Sequence, residues 1–255
     1  MDCQRWPAYF AIAGFVTVAL GCFVALRPGV VHPALGQAQP VAVDHARMAV
    51  AAAPVPTAKP KPQAAEASYY DQLRGRINWV QTRIGNDRLR TPDFHSRMLL
   101  AKSAAQRARL ADVGLSYRDV YGIINAETSW VPRMGASKDG TPNLGIAQFE
   151  PATAKALGMT NPNDPVEAVH AAALHMKEAA LWSADRIEGL KLSASDRAEK
   201  LREGVSIYYN LSTKGRNAWN GRNTAKLPRE TQRHIENARI GAQEAAMLDT
   251  QLASL

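Results

Sequence analysis

Apolar residues along this chain recur every three or four positions far more often than they alternate, which predicts a mostly α protein. From residue 68, "SYYDQLRGRINWVQTRIG" and "TPDFHSRMLLAKSAAQRARLADVG" read as two amphipathic helices. Thr91 is the expected N-cap of the second, with Pro92 at its first helical position. "SYRDVYGIINAETSW" follows, opened by Ser116 and Asp119 at capping-box spacing. A Gly/Pro/Asn-rich loop spans 131–145, and 139–148 has room for a short hairpin. Beyond it "EPATAKALG" predicts a short helix stopped by Gly158, and Asp164-Pro165 opens a long one. Residues 195–209 and 228–248 supply two more helices, and no internal repeat is visible.

The N-terminal pattern is different. Residues 8–26, "AYFAIAGFVTVALGCFVAL", are apolar or small and uncharged. As a helix they reach roughly 28 Å, close to the thickness of a bilayer core. An uncleaved membrane anchor is the favoured reading. A cleaved signal peptide with "GQA" at 36–38 and a lipoprotein signal ending at Cys22 are the alternatives. Arg5 and Arg27 flank the segment evenly and leave its orientation open. A tract with six prolines and many alanines, 31–67, then reads as a spacer that would reach on the order of 100 Å if fully extended.

Composition changes this picture little. The net charge is +8, and residues 67–255 hold 26 basic against 20 acidic side chains. Such a surplus suits an acidic polymer, either nucleic acid or carboxylate-bearing cell wall. No DNA- or RNA-binding motif accompanies it and the charges are spread out, which argues against nucleic acid. Cys3 and Cys22 both precede the helical region, so no disulfide staples it.

One charged residue breaks the helical pattern. Positions 120, 124, 127 and 131 share a helix face; three are apolar and the fourth is Glu127. A carboxylate turned toward a core loses hydration, which favours its protonated form. A protonated acid beside a cleft suits proton donation to a leaving group, as in glycoside cleavage, and Trp130 is placed to supply an apolar wall. The competing reading is a Glu at a helix end that bends to water or pairs with Arg133. The face alone does not decide.

The order "AETSW … NLGIAQF … YYN … ETQRH" resembles the lytic transglycosylase family, which has the lysozyme-like fold. The matching positions are Glu127-Thr128, Gly145-Ile146-Ala147-Gln148, Tyr208-Tyr209-Asn210, and Glu230-Thr231 through His234. "EPATAKALG" resembles the Pro-x-Thr-Ala helix that follows the Gln. The likeness spans roughly 113–238. It implies cleavage of the β-1,4 bond between N-acetylmuramic acid and N-acetylglucosamine in peptidoglycan. Glu127 would serve first as acid, then as base on the muramoyl C6 hydroxyl, closing a 1,6-anhydro ring without water. Thr128, Asn143, Gly145, Gln148, Tyr209, Asn210 and Trp219 are the candidates for substrate contact. No cofactor is implied.

On this reading 1–30 is the anchor or signal, 31–67 the linker, 68–112 an accessory helical hairpin and 113–255 the catalytic domain. The expected location is the bacterial periplasm, tethered to the inner membrane. Glycan strands are the expected partner, and opening the wall for a secretion, conjugation or pilus apparatus follows family habit. The runners-up are a hydrolytic muramidase and a non-catalytic peptidoglycan-binding assembly protein.

A glycosidase with a protein nucleophile needs a second carboxylate about 5–5.5 Å from the first, and an inverting one about 6.5–9.5 Å away. Animal c-type lysozymes carry theirs two residues before a Gly-Ile-x-Gln segment. Here that position is Asn143, and Asp139 is the nearest alternative. The chain departs from the family pattern at Thr128 (usually Ser), Ala147 (often Met) and His234 (usually Tyr), so a phenol-to-Glu contact is not carried over. The loop "LSTKGRNAWNG" offers Lys214 and Arg216 for peptide carboxylates and Trp219 for stacking on a sugar. Glu167, His170, His175 and Glu178 superficially suggest a metal site, but the histidines are five apart and no second such helix faces them, so no metal is expected.

Overall fold

The computed structural model describes residues 62–253 except Lys138. The apolar segment at 8–26, both cysteines and the linker up to residue 61 lie outside the described residues. Among the described residues no helix is long and apolar enough to cross a membrane. The molecule is mostly α, as the periodicity predicts. In chain order it runs α1 (Pro62–Arg74), β1 (Trp79–Ile84), β2 (Asp87–Pro92), α2 (Phe94–Ala108) and α3 (Tyr117–Thr128). Then come β3 (Gly135–Ala136), β4 (Pro142–Asn143), α4 (Pro151–Ala156), α5 (Pro165–Ile187), α6 (Ala194–Asn210), α7 (Thr213–Asn217) and α8 (Arg229–Ala253).

The largest difference from the sequence reading lies before α2. The helix expected over 68–85 ends at Arg74, and an antiparallel hairpin takes its place, pairing Trp79 with Pro92 through to Ile84 with Asp87. The two-residue loop Gly85-Asn86 starts with a glycine at φ +59°, a left-handed conformation that suits the twist of a tight hairpin. Thr91 therefore closes a strand. The N-cap of α2 is Asp93, whose carboxylate accepts the Ser96 N–H at 2.8 Å. α1 also begins within the expected linker, at Pro62. α2 supplies Leu100, Ala101 and Ala104 to the same core as α3 and α5, so 94–108 packs into the main body.

Other boundaries follow the local signals. Ser116 and Asp119 form the capping box of α3. Asp164 caps α5 by accepting the Val166 and Glu167 N–H groups, and Gly158 takes φ +74° just past α4. The small second sheet pairs Gly135 with Asn143, a few residues earlier than the 139–148 window.

α3 and α8 run antiparallel and touch at backbone level. A Cβ on Gly122 would lie 2.3 Å from the Ala238 carbonyl oxygen, so only glycine allows the approach. Tyr117 donates to Asp249 and Tyr121 to Glu244, both at 2.8 Å, along the same seam. Followed toward the C-terminal end of α3, this seam brings Glu127 opposite His234.

Candidate active site

Glu127 sits in the last turn of α3 with its side chain only 2% exposed. Its Oε1 lies 2.8 Å from Nε2 of His234, itself buried on α8. The contact judged lost with the tyrosine is thus present, made by an imidazole. His234 Nδ1 is buried with no hydrogen-bond partner among the described residues. Of the two ring nitrogens, only Nε2 has a partner among the described residues, and that partner is Glu127.

Tyr209 on α6 forms the next layer. Its ring lies over His234 with centroids 6.3 Å apart and planes 18° from parallel. Its hydroxyl donates to the Ala147 carbonyl at 3.3 Å. Burial, then the nearby Glu127 charge, push this phenol well above its ordinary pKa, so it serves as a neutral donor. The neighbouring Asn210 accepts the Thr231 hydroxyl at 2.8 Å in a buried bond that fixes α6 to α8 one turn before His234.

The chain turns sharply after Glu127. Ser129 and Trp130 both take positive φ, 53° and 65°, and Gln148 takes 51°. Left-handed backbone at non-glycine residues is strained and gathers at functional sites. Three side chains hold this turn. Thr128 donates its hydroxyl to the Ile146 carbonyl at 2.7 Å. Arg133 donates to the Thr128 carbonyl at 2.7 Å and the Glu127 carbonyl at 3.3 Å, a cation at the negative end of the helix. Burial lowers the Arg133 pKa, and the Glu127 charge partly opposes this. Gln148 donates to the carbonyls of Arg133 (2.9 Å) and Gly145 (2.8 Å), joining the two loops. Gly145, at φ +71°, packs so tightly on Pro162 that a Cβ would lie 2.1 Å from its carbonyl oxygen.

The structure therefore brings Glu127, Thr128, Gly145, Gln148, Tyr209 and Asn210 into one neighbourhood. Trp130, expected as a cleft wall, is fully buried against Tyr121 at 4.9 Å. Trp219, expected to stack on a sugar, is also fully buried. It stacks on Trp182 at 5.6 Å and donates its indole N–H to Thr224, so it anchors a second apolar cluster. Arg216 lies 3.8 Å over the Tyr208 ring. Asn143 is a buried neutral amide. The carboxylates of the 131–150 loop are held by that loop. Asp139 is exposed and accepts the Thr141 N–H at 3.0 Å, and Glu150 accepts the Ser137 hydroxyl at 2.8 Å.

The metal-like spacing on α5 dissolves into separate contacts. Glu167 accepts from Thr160 and Asn161, His170 contacts Ser103 and the Val166 carbonyl, and His175 faces Glu178 at 3.5 Å. The sequence set His234 at the place of a tyrosine without carrying its contact to Glu127 over, and it matched Thr231 to the family pattern without giving it a role. Their signal is the i, i+3 spacing on the buried face of α8.

The chain matches no protein-family model. A 71-residue stretch is 37% identical to a transglycosylase of Enterobacteria phage PRD1, covering 28% of this chain and 26% of the phage protein. The chain thus spans about a quarter of the length of that relative, and similarity to a transglycosylase is what the comparison supports.

Proposed function

We propose that this chain is a peptidoglycan lytic transglycosylase with Glu127 as its single acid and base. The observation that carries the reading is a carboxylate only 2% exposed on a strained helix end, with one oxygen held by the imidazole of His234. His234 occupies Oε1, which leaves Oε2 to move the proton. In the first step Oε2 gives its proton to the glycosidic oxygen as the bond from muramoyl C1 breaks. In the second the carboxylate takes the proton of the C6 hydroxyl while that oxygen bonds to C1 and closes the anhydro ring. Atoms balance without water. The neutral amide at Asn143, in place of a second carboxylate, supports this route over a double displacement.

His234 and Tyr209 act as positioning residues, and Gln148, Thr128 and Arg133 hold the loop beside Glu127. The similarity to the phage transglycosylase supports the same reaction class. The segment at 8–26 supports a periplasmic enzyme tethered to the inner membrane, and the linker gives it reach into the wall. Local wall opening for an envelope apparatus is a role in keeping with that reach.

Digestion of purified sacculi, beside a Glu127→Gln control, tests the reaction by product mass. The expected muropeptides are lighter than hydrolysis products by one water and absent from the control. Glu127-dependent products with free reducing ends would make the enzyme a muramidase. Binding without cleavage by either protein would make it a glycan-binding protein.

A further inference from the structure

A cavity of about 640 Å³ opens between α3, α6 and α8, a volume ordinary for a ligand site. Its floor reaches the main core, where Met176 and Val205, both buried, line it. Along α8 its wall is Ile235, Ala238, Ala242 and Ala246, a smooth stripe about 17 Å long at helical rise. Two features mark this trough as more than a packing gap. Ser206 is buried and lines it, and its hydroxyl has no hydrogen-bond partner among the described residues. At the rim, Arg118 of α3 bonds to the Tyr117 hydroxyl and, among the described residues, to no carboxylate, while Glu199 of α6 has no ion pair there. The other rim cations are matched within the fold: Arg202 to Asp119, Lys200 to Glu203 and Arg239 to Glu236.

A hydrocarbon ligand would cover the floor and leave the hydroxyl and both charges unmet. A peptide brings apolar side chains, carbonyl oxygens and charges of both signs together. One such peptide is tethered to the domain. Residues 41–53, "VAVDHARMAVAAA", are the longest run free of proline and glycine in residues 1–61. They carry Asp44 and Arg47, three apart, opposite in sign to Arg118 and Glu199. Val43, Ala46 and Val50 share one helical face, and as a helix the run would extend about 20 Å, enough for the wall of α8. Its tether ends near the trough. Glu66, one turn into α1, pairs with Arg107 at 3.0 Å. Three residues beyond Arg107, the Leu110 carbonyl accepts the N–H of Leu115, which lines the trough, at 3.0 Å. Residues 54–61 reach about 25 Å when extended, which covers that path.

We propose that residues 41–53 dock in cis in the α6–α8 trough, with Asp44 toward Arg118 and Arg47 toward Glu199. A short tether gives the segment an effective concentration in the millimolar range, so a weak groove interaction suffices to keep it seated. Docking shortens the linker. Only 31–40 then separates the domain from the 8–26 segment, about 31 Å of reach against about 96 Å for 31–61. The proposal stands apart from the catalytic reading.

The test is hydrogen exchange of the full chain in detergent, read by mass spectrometry over 199–206 and 235–246. The comparison is a full chain in which 41–53 is replaced by Gly and Ser at equal length. Exchange over both stretches should be about tenfold faster in the replaced chain, while 94–108 on α2 exchanges alike in both. Arg47→Glu should weaken the protection about two- to threefold, and adding Glu199→Lys should restore it. These changes lie in the linker or at the exposed rim, so the packed core is untouched. Equal exchange in parent and replaced chains, or no recovery with Glu199→Lys, overturns the proposal. Protection that grows with protein concentration also overturns it, in favour of the same segment from a second copy.

Discussion

His170 and His234 are buried to similar degrees, 3% and 6% exposed, yet their nitrogens are engaged differently. His170 sits between α1, α2 and α5 with both nitrogens met. Nδ1 lies 2.8 Å from the Val166 carbonyl, and Nε2 lies 2.8 Å from the Ser103 hydroxyl. A carbonyl only accepts, so Nδ1 carries a proton, and the Ser103 hydroxyl can donate to Nε2 of a neutral ring. Burial drives its pKa down to about 4. His234 has one nitrogen on a carboxylate and the other bare. A core histidine is closed on all sides, whereas this one is left incomplete where a carboxylate must be aimed. The bare nitrogens of His234 and Trp130 are the buried side-chain atoms without a partner among the described residues, and both belong to the Glu127 neighbourhood.

The comparison breaks most visibly at the carboxylate. Glu127→Gln removes the proton carrier but keeps the shape, and should cut turnover by about 10²–10⁴-fold while the fold persists, read from initial rates and circular dichroism. On the other side of the comparison stands pH-dependent stability. As pH falls through about 6.5 the unfolded chain protonates His170, while the folded chain resists until about 4. The unfolded state binds more protons in that window, so His170 lowers stability as pH falls across it, by about 3 kcal/mol at most. A His170→Leu, Ser103→Ala pair, which removes the hydroxyl facing the ring along with the ring and takes from Tyr69 its contact with Ser103, should flatten that slope in urea titrations and leave turnover near the parent value.

His234 should behave in the opposite sense. His234→Phe is expected to lower kcat by about 10–50-fold with little change in KM, since it frees Glu127 rather than removing a substrate contact. His234→Tyr, which restores a donor at this position, should recover much of the loss, and unfolding free energy should move little in either variant. A merely structural histidine would show the reverse. The smallest effect is expected at Thr231→Val, which removes the buried bond to Asn210 and should cost about 1–2 kcal/mol, with a lesser loss of turnover.

Much of the fold was legible where one residue settles a local question. Ser116 with Asp119, Asp164 with Pro165, and Gly158 each fixed a helix end through hydrogen bonding or backbone freedom available within a few residues. The 79–92 hairpin was misread although its signal is present. Gly85-Asn86 separates two six-residue runs with alternating faces, but Arg and Gln serve a helix equally well and the run before Gly85 begins only four residues after a helix. Glu127 was legible as a carboxylate on an apolar face. Its contact with His234 was not, because the resemblance expects a tyrosine there and the histidine, 107 residues away, meets Glu127 only through the backbone contact of α3 with α8 at Gly122. Trp219 shows the remaining limit. An aromatic in a basic loop reads alike as a sugar platform or a core anchor, and stacking on Trp182 decides it.

The most direct measurement runs the cleavage of sacculi in oxygen-labelled water and weighs the new muramoyl ends. The account predicts Glu127-dependent products that carry no label, because the C6 oxygen of the substrate closes the ring. Label at the new C1 in those products would contradict it and assign a water, not the substrate's own hydroxyl, as the nucleophile.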